Sequence, residues 1–231
     1  PNQPATATSN NGAGKNRAIM DQFEPGSTFK IVSISSALSE GTSRLNDIIH
    51  CNHGRYSNGR WRLSDDHGYG NLSVMEVFAK SSNIGTYKII RKVGQERFFQ
   101  YIKGFGFGQK TGVQLPGELA GKVHHVDDWR DVTMSRVAIG YTISVTPLQI
   151  TMAMAAIANG GRLMQPMIID RIEYPDGKVM SHYDPHMVHQ VMTNESTRDI
   201  IKAMTQVVGN KGTARRAKLD DYTVAGKTGT A

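Results

Sequence analysis

Three short patterns in this chain join a hydroxyl to an amine or amide at spacings that acyl transfer can use: Ser27-Thr28-Phe29-Lys30, Ser81-Ser82-Asn83 and Lys227-Thr228-Gly229. A serine hydroxyl becomes a nucleophile only when a neighbouring base removes its proton. A spacing of three places Ser27 and Lys30 on one face of a helix, provided the helix begins near Ser27, as Glu24-Pro25-Gly26 suggests. Lys30 would then stand in the first turn, at the positive end of the helix dipole, where a cation is disfavoured. A lysine held there and partly desolvated loses proton affinity, which is what a base for a serine hydroxyl needs. The other reading of the same residues is that Ser27 only caps the helix and Lys30 reaches out to water.

Ser81 and Asn83 fall at a junction between two helical segments, where their side chains can point into a cleft as a second proton shuttle and an amide anchor. Both types are also favoured helix caps. Lys227-Thr228-Gly229-Thr230 combines a cation and hydroxyls, suited to a carboxylate, with a glycine that lets a substrate backbone come close. Patterns this short recur by chance. Ser9-Asn10-Asn11 repeats the second and Lys110-Thr111-Gly112 the third, but the latter follows the glycine-rich Gly104 to Gly108 with no strand period and is set aside as a catalytic element.

The elements that must position these groups follow from spacing. Phe29, Ile31, Val32, Ile34, Ala37 and Leu38 mark a helix from Ser27 that Gly41 ends. Gly54 to Gly70 is turn-rich and aromatic. Helices are predicted over Val74 to Lys80, Ile84 to Val93 and Glu96 to Ile102. Thr146-Pro147-Leu148-Gln149 opens another that runs to about Ala158, with Thr as cap, Pro in the first position and Gln answering the cap. Strands around Met167 to Glu173 and Val179 to Tyr183 flank the turn signal Pro175-Asp176-Gly177. A last helix fits Glu195 to Val208, and the alternation from Tyr222 to Ala231 predicts a strand. Residues 1–20 read as loop. The class is mixed α and β.

The 231 residues carry a formal charge of +7 with 39% hydrophobic residues, which excludes a disordered chain. No apolar run reaches the roughly 20 residues that cross a bilayer; Ile150 to Ala158 is the longest candidate. Both termini read as cuts in a longer protein. The single Cys51 excludes an internal disulfide framework, and His50-Cys51-Asn52-His53 lacks the second half of a zinc site. Asp65-Asp66-His67 reads as a structural loop close to the cleft, and Met152 to Met154 as core. The basic cluster of Lys211, Arg215, Arg216 and Lys218 lacks interleaved aromatics, so a solvated face or a contact with an anionic polymer or lipid is preferred over nucleic acid.

In their order, the three patterns resemble the signature of the penicillin-recognising serine acyltransferases. The resemblance is carried further by Phe23 to Lys30 (FEPGSTFK), Gly104 to Glu118 (GFGFGQKTGVQLPGE), Gly212-Thr213-Ala214 and Val224 to Ala231 (VAGKTGTA). It runs from about Asp21 to Ala231 and points to class B penicillin-binding proteins, peptidoglycan transpeptidases of the elongation or division machinery. It implies an α+β fold with a five-stranded antiparallel sheet between helical layers, of which residues 1–231 would be one incomplete domain, helix-rich and ending on the first catalytic strand.

By the same resemblance Ser27 is the acylated nucleophile and Lys30 its base. Ser81 serves proton transfer and Asn83 binds a substrate amide, while Lys227, Thr228, Gly229 and Thr230 hold the terminal carboxylate of a stem peptide or β-lactam. The Ser27 and Thr230 backbone N–H groups form the oxyanion hole. The implied reaction needs no metal or organic cofactor. The implied partners are stem peptide, β-lactams and, through the parent protein, a glycosyltransferase of the wall-synthesis machinery, with no nucleic acid; the implied place is the outer side of the bacterial cytoplasmic membrane. A β-lactamase or DD-carboxypeptidase would need a deacylating carboxylate, and no ExxxN segment lies between Asn83 and Lys227. A non-catalytic β-lactam sensor would share the motifs, and the Gly104 to Glu118 words count against it.

Overall fold

The computed structural model describes residues 15–229. Its elements run α1 (Arg17–Met20), α2 (Lys30–Ser39), β1 (Ile48–His50), β2 (Arg55–Ser57), β3 (Arg62–Ser64), β4 (Asn71–Ser73), α3 (Val74–Ala79), α4 (Asn83–Val93), α5 (Gln95–Gly104), α6 (Asp131–Val137), α7 (Pro147–Ala158), β5 (Arg162–Met164), β6 (Arg171–Glu173), β7 (Val179–His182), β8 (Met187–Gln190) and α8 (Asn194–Val208). The strands pair antiparallel in four separate two-stranded ladders, β1 with β4, β2 with β3, β5 with β8 and β6 with β7.

Helix α2 is the axis of the core. Its apolar residues Ile31, Val32, Ile34 and Ala37 are all buried, and the helix packs against α4, α5 and α8. A helix apolar on more than one face must be enclosed by others. Phe29, just before it, meets Phe107 and Phe98 edge-on at centroid distances of 5.1 and 6.5 Å, which anchors the residues that precede Lys30. Close backbone approach fixes the same turn from the other side. The Gly26 N–H donates to the Gly140 carbonyl at 3.0 Å, and Gly140, at φ +85°, has no room for a side chain: a Cβ there would lie 2.0 Å from the Gly26 oxygen.

The cap-driven expectations hold. The Thr146 side chain accepts from the Gln149 N–H, Gln149 answers through its own side chain, and Pro147 takes the first position of α7. Met154, on α7, packs against the core. The β6–β7 hairpin turns at Asp176-Gly177, though its strands are shorter than predicted.

Three expectations change. Residues 17–20 are one helical turn, capped by Asn16, rather than loop; residues 1–14 lie outside the described set. The turn Gly26–Phe29 is 3-10, with no side-chain cap from Ser27, so the α-helix starts at Lys30. The strand predicted from Tyr222 to Ala231 does not form over the described residues 222–229, and no five-stranded sheet is present among them. Alternation is a local property, whereas a strand exists only when another backbone pairs with it. In this segment the Gly226 N–H instead donates to the Met204 carbonyl of α8 at 3.3 Å. No helix among the described residues is long and apolar enough to cross a membrane.

Candidate active site

The junction between α3 and α4 shows how local sequence presents one side chain. Helix α3 opens with a capping box between Ser73 and Glu76 and ends at Lys80. Ser81 then adopts φ +59°, its N–H bonding the Phe78 carbonyl while the Ser82 N–H bonds that of Val77. This is the Schellman pattern with serine where glycine is usual, at a cost of order 1 kcal/mol. The reversal turns Ser81 outward and makes Ser82 the cap of α4, accepting from Gly85 N–H. Gly85 is required here, because a Cβ would lie 2.6 Å from Val77 Cγ2. Capping and cleft roles, alternatives in the sequence, are therefore divided between adjacent serines.

Lys30 does not extend to water; it is fully buried. Its Nζ lies 2.6 Å from the Ser81 carbonyl oxygen, 2.6 Å from Asn83 Oδ1 and 3.0 Å from Ser81 Oγ. Asn83 is oriented by its Nδ2, which donates to the Ser64 carbonyl at 2.9 Å. A neutral amine has two N–H bonds and one lone pair. The carbonyl and Oδ1 only accept, so they take the two N–H bonds, and the lone pair remains for a hydroxyl. Burial pushes Lys30 well below the ordinary lysine value, and the nearby Lys227 charge pushes further the same way against the opposing pull of Asp65 and Asp66. The desolvation expected from sequence is the largest of these causes, and the helix dipole acts in the same direction.

Lys227 reaches the same hydroxyl from the other side, its Nζ 2.9 Å from Ser81 Oγ and 3.0 Å from the Thr228 carbonyl. Burial lowers it to about 8. Ser81 Oγ thus stands between two amines and can accept from one while donating to the other. Thr228 Oγ1 is 2.7 Å from Thr213 Oγ1, and Gly229 passes so close to the first turn that a Cβ would lie 2.5 Å from Thr28 Cγ2. The strandless final segment is therefore held beside Ser27 by side-chain contacts.

Ser27, Ser81, Asn83, Thr228 and Gly229 line a common cleft of about 580 Å³. The Ser27 hydroxyl makes no hydrogen bond among the described residues, and the hydroxyl within hydrogen-bond distance of Lys30 Nζ is that of Ser81. Thr230, the remaining residue of the predicted set, lies outside the described residues. Lys110 is far from this group in role: Thr111 N–H and Oγ1 are tied to the Glu118 carboxylate at 2.6 and 2.5 Å, a loop clasp.

Sequence reasoning missed the work of Asp65, whose carboxylate accepts from Ser82 Oγ at 2.6 Å, Asn83 N–H at 2.5 Å and Ile84 N–H at 3.0 Å. It fixes the start of α4 and hence Asn83. Asp66 and His67 line the cleft but bond to none of Ser27, Lys30 or Ser81. Thr213 was visible only as part of a quoted motif, with no spacing to tie it to Thr228.

Residues 1–231 match the family described as penicillin binding protein transpeptidase domain. Penicillin-binding protein PbpB of Mycobacterium tuberculosis is 37% identical over 223 residues, covering 94% of this chain and 33% of the relative. Peptidoglycan D,D-transpeptidase FtsI of Escherichia coli is 30% identical over 219 residues, 95% of this chain and 35% of the relative. The crystal structure of penicillin-binding protein 3 from Mycobacterium tuberculosis complexed with ampicillin superposes with a TM-score of 0.87 at 35% identity, covering 94% of this chain and 49% of that one. The chain spans about a third of the length of the curated relatives it matches.

Proposed function

The chain belongs to the penicillin binding protein transpeptidase domain family, and on that premise we propose that its cleft cross-links peptidoglycan stem peptides through an acyl-enzyme at Ser27 and is inhibited by β-lactams acylating the same atom. The observation that carries this reading is the enclosure of Lys30, with two acceptors on its N–H bonds and its lone pair left for a hydroxyl. Relatives named as a D,D-transpeptidase and a structure complexed with ampicillin supply the substrate class.

Lys30 takes the proton of the Ser27 hydroxyl as Oγ attacks the penultimate D-alanyl carbonyl. The tetrahedral intermediate collapses as the C–N bond to the last D-alanine breaks, and the departing nitrogen receives a proton relayed from Lys30 through Ser81 Oγ. Asn83 aligns the peptide through its amide, and Lys227 with Thr228 and Thr230 holds the terminal carboxylate. The role of oxyanion donors is assigned to the Ser27 and Thr230 N–H groups. An amine of a neighbouring stem then attacks the ester; its proton passes to the base, a C–N bond forms, and the C–O bond to Ser27 breaks. Such a domain works outside the cytoplasmic membrane, alongside a glycosyltransferase that makes the glycan strands, and residues 1–231 form part of one catalytic unit.

Incubating the full-length protein with benzylpenicillin and mapping peptides by mass should place a stable penicilloyl adduct on Ser27. Labelling that persists in Ser27→Ala would refute the assignment.

A further inference from the structure

Beside the cleft lies a second cavity of about 760 Å³, and the two share Asn83 and Tyr141 as a common wall. Three arginines, Arg55, Arg62 and Arg136, line it, and no carboxylate does. Their arrangement follows from the β2–β3 hairpin. Arg55 pairs with Ser64 and Ser57 with Arg62. Residues at these alternate positions share one face, and the two arginines are diagonal neighbours about 7–8 Å apart at the backbone. The intervening Tyr56 and Leu63 pack with Trp61, Ile84, Tyr87 and Ile139, and with Ile139 they supply the apolar part of the cavity's lining. The aromatic contacts of Tyr56 and Trp61 with Tyr87, at 5.7 and 5.1 Å, pin the hairpin to α4.

Arg136 reaches over from α6, its Nη2 donating to the Arg62 carbonyl at 3.3 Å, so one of its five N–H donors is used, and the residue lines the same cavity. None of the three arginines forms an ion pair among the described residues. Asp65, next to Ser64 of the cavity wall, has both oxygens engaged by Ser82, Asn83 and Ile84. Three guanidinium groups in a concave wall without a counter-charge are a site for an anion that arrives with the ligand.

The wall shared with the cleft says which part of the ligand. Thr228, assigned with Lys227 to the terminal carboxylate, lines the cleft alone, whereas Asn83, assigned to the substrate amide, lines both the cleft and the arginine cavity. We propose that this cavity is a subsite for a second carboxylate, carried on the arm of the substrate that precedes the reactive carbonyl. The proposal rests on the acyl-transfer reading of the main cleft.

The probes are benzylpenicillin and carboxybenzylpenicillin, which differ only by a carboxylate on the side-chain carbon next to the amide. The quantity read is the ratio of their second-order acylation rates on the full-length protein, which cancels effects common to both. In an Arg55→Gln/Arg62→Gln variant the ratio of carboxybenzylpenicillin to benzylpenicillin should fall about tenfold, as two charge-assisted contacts are lost. In the unaltered protein the same ratio should fall as salt rises from about 50 to 500 mM, since screening weakens partly exposed charge pairs; this arm needs no folded variant. A ratio that is unchanged within about twofold in the variant and with salt overturns the subsite while leaving the main reading intact. Failure of both penicillins to acylate Ser27 would overturn that reading and the subsite with it.

Discussion

Replacing Lys227 with methionine tests the cleft at its best-defined charge. The side chain keeps its approximate length and loses the cation that reaches Ser81 Oγ at 2.9 Å. A charge-assisted contact to a ligand carboxylate contributes about 1.5–3 kcal/mol, so acylation by a monoanionic penicillin should slow roughly 10- to 150-fold at pH 7. The pH profile carries the sharper prediction. With Lys227 lowered to about 8, it is about nine-tenths charged at pH 7 and about one-tenth charged at pH 9. Loss of the cation weakens carboxylate binding, so the second-order rate should decline as pH rises through 8; that rate reports ionisation of the free enzyme. Lys227→Met should lack this alkaline limb. Stopped-flow measurement with a chromogenic cephalosporin from pH 6 to about 9.5 reads both effects. Lys110→Met is the internal control, because Lys110 is exposed in a loop clasped by Glu118, and it should stay within a few fold of the parent. An alkaline limb that survives in Lys227→Met, or an equal loss in Lys110→Met, would refute the reasoning.

The other predictions concern the groups around it. Lys30→Arg substitutes a guanidinium that cannot deprotonate, and acylation should fall roughly 10²- to 10⁴-fold with near-ultraviolet circular dichroism retained; near-normal rates would remove Lys30 as the base. Asp65→Ala removes acceptors from the Asn83 and Ile84 N–H groups and from Ser82 Oγ. It should destabilise the protein by about 1.5–3 kcal/mol, read as a drop of roughly 3–12 °C in melting temperature. Acylation should slow in the same variant because Asn83 loses its fixed position, and an unchanged melting point would show that the Asp65 contacts contribute little.

What was legible in the sequence was what contiguous residues decide. The α7 start is written in Thr146, Pro147 and Gln149, and the structure uses all three. The Ser81 to Asn83 junction is equally local, though which serine caps and which faces the cleft depends on the left-handed turn at Ser81, for which serine is not the usual residue. The arginine wall was read only as turn-rich and aromatic. Its meaning depends on register, because a one-residue slip of β2 against β3 would put Arg55 on the face of Leu63 and part it from Arg62. The final segment misled for the same reason in reverse, since its alternation was correct in pattern but no described backbone pairs with it.

Lys30 shows how a right direction can be reached from part of its cause. From sequence, the helix start and a partial desolvation were available to explain a lysine with low proton affinity. The structure adds complete burial and a second lysine bonded to the same hydroxyl, although 146 residues separate Lys227 from Ser81. These two causes need each other. Burial alone would leave an amine with no route to exchange its proton, whereas Lys227 is partly solvated and holds Ser81 Oγ between itself and Lys30. The charge that depresses Lys30 therefore belongs to the group best placed to relay a proton to it. Removing Lys227 should then act twice, by weakening carboxylate binding and by letting Lys30 hold its proton more firmly. The acid limb of the acylation profile should move to higher pH in Lys227→Met, opposite to the loss of the alkaline limb, and an acid limb that stays in place would mean that Ser81 does not couple the two amines.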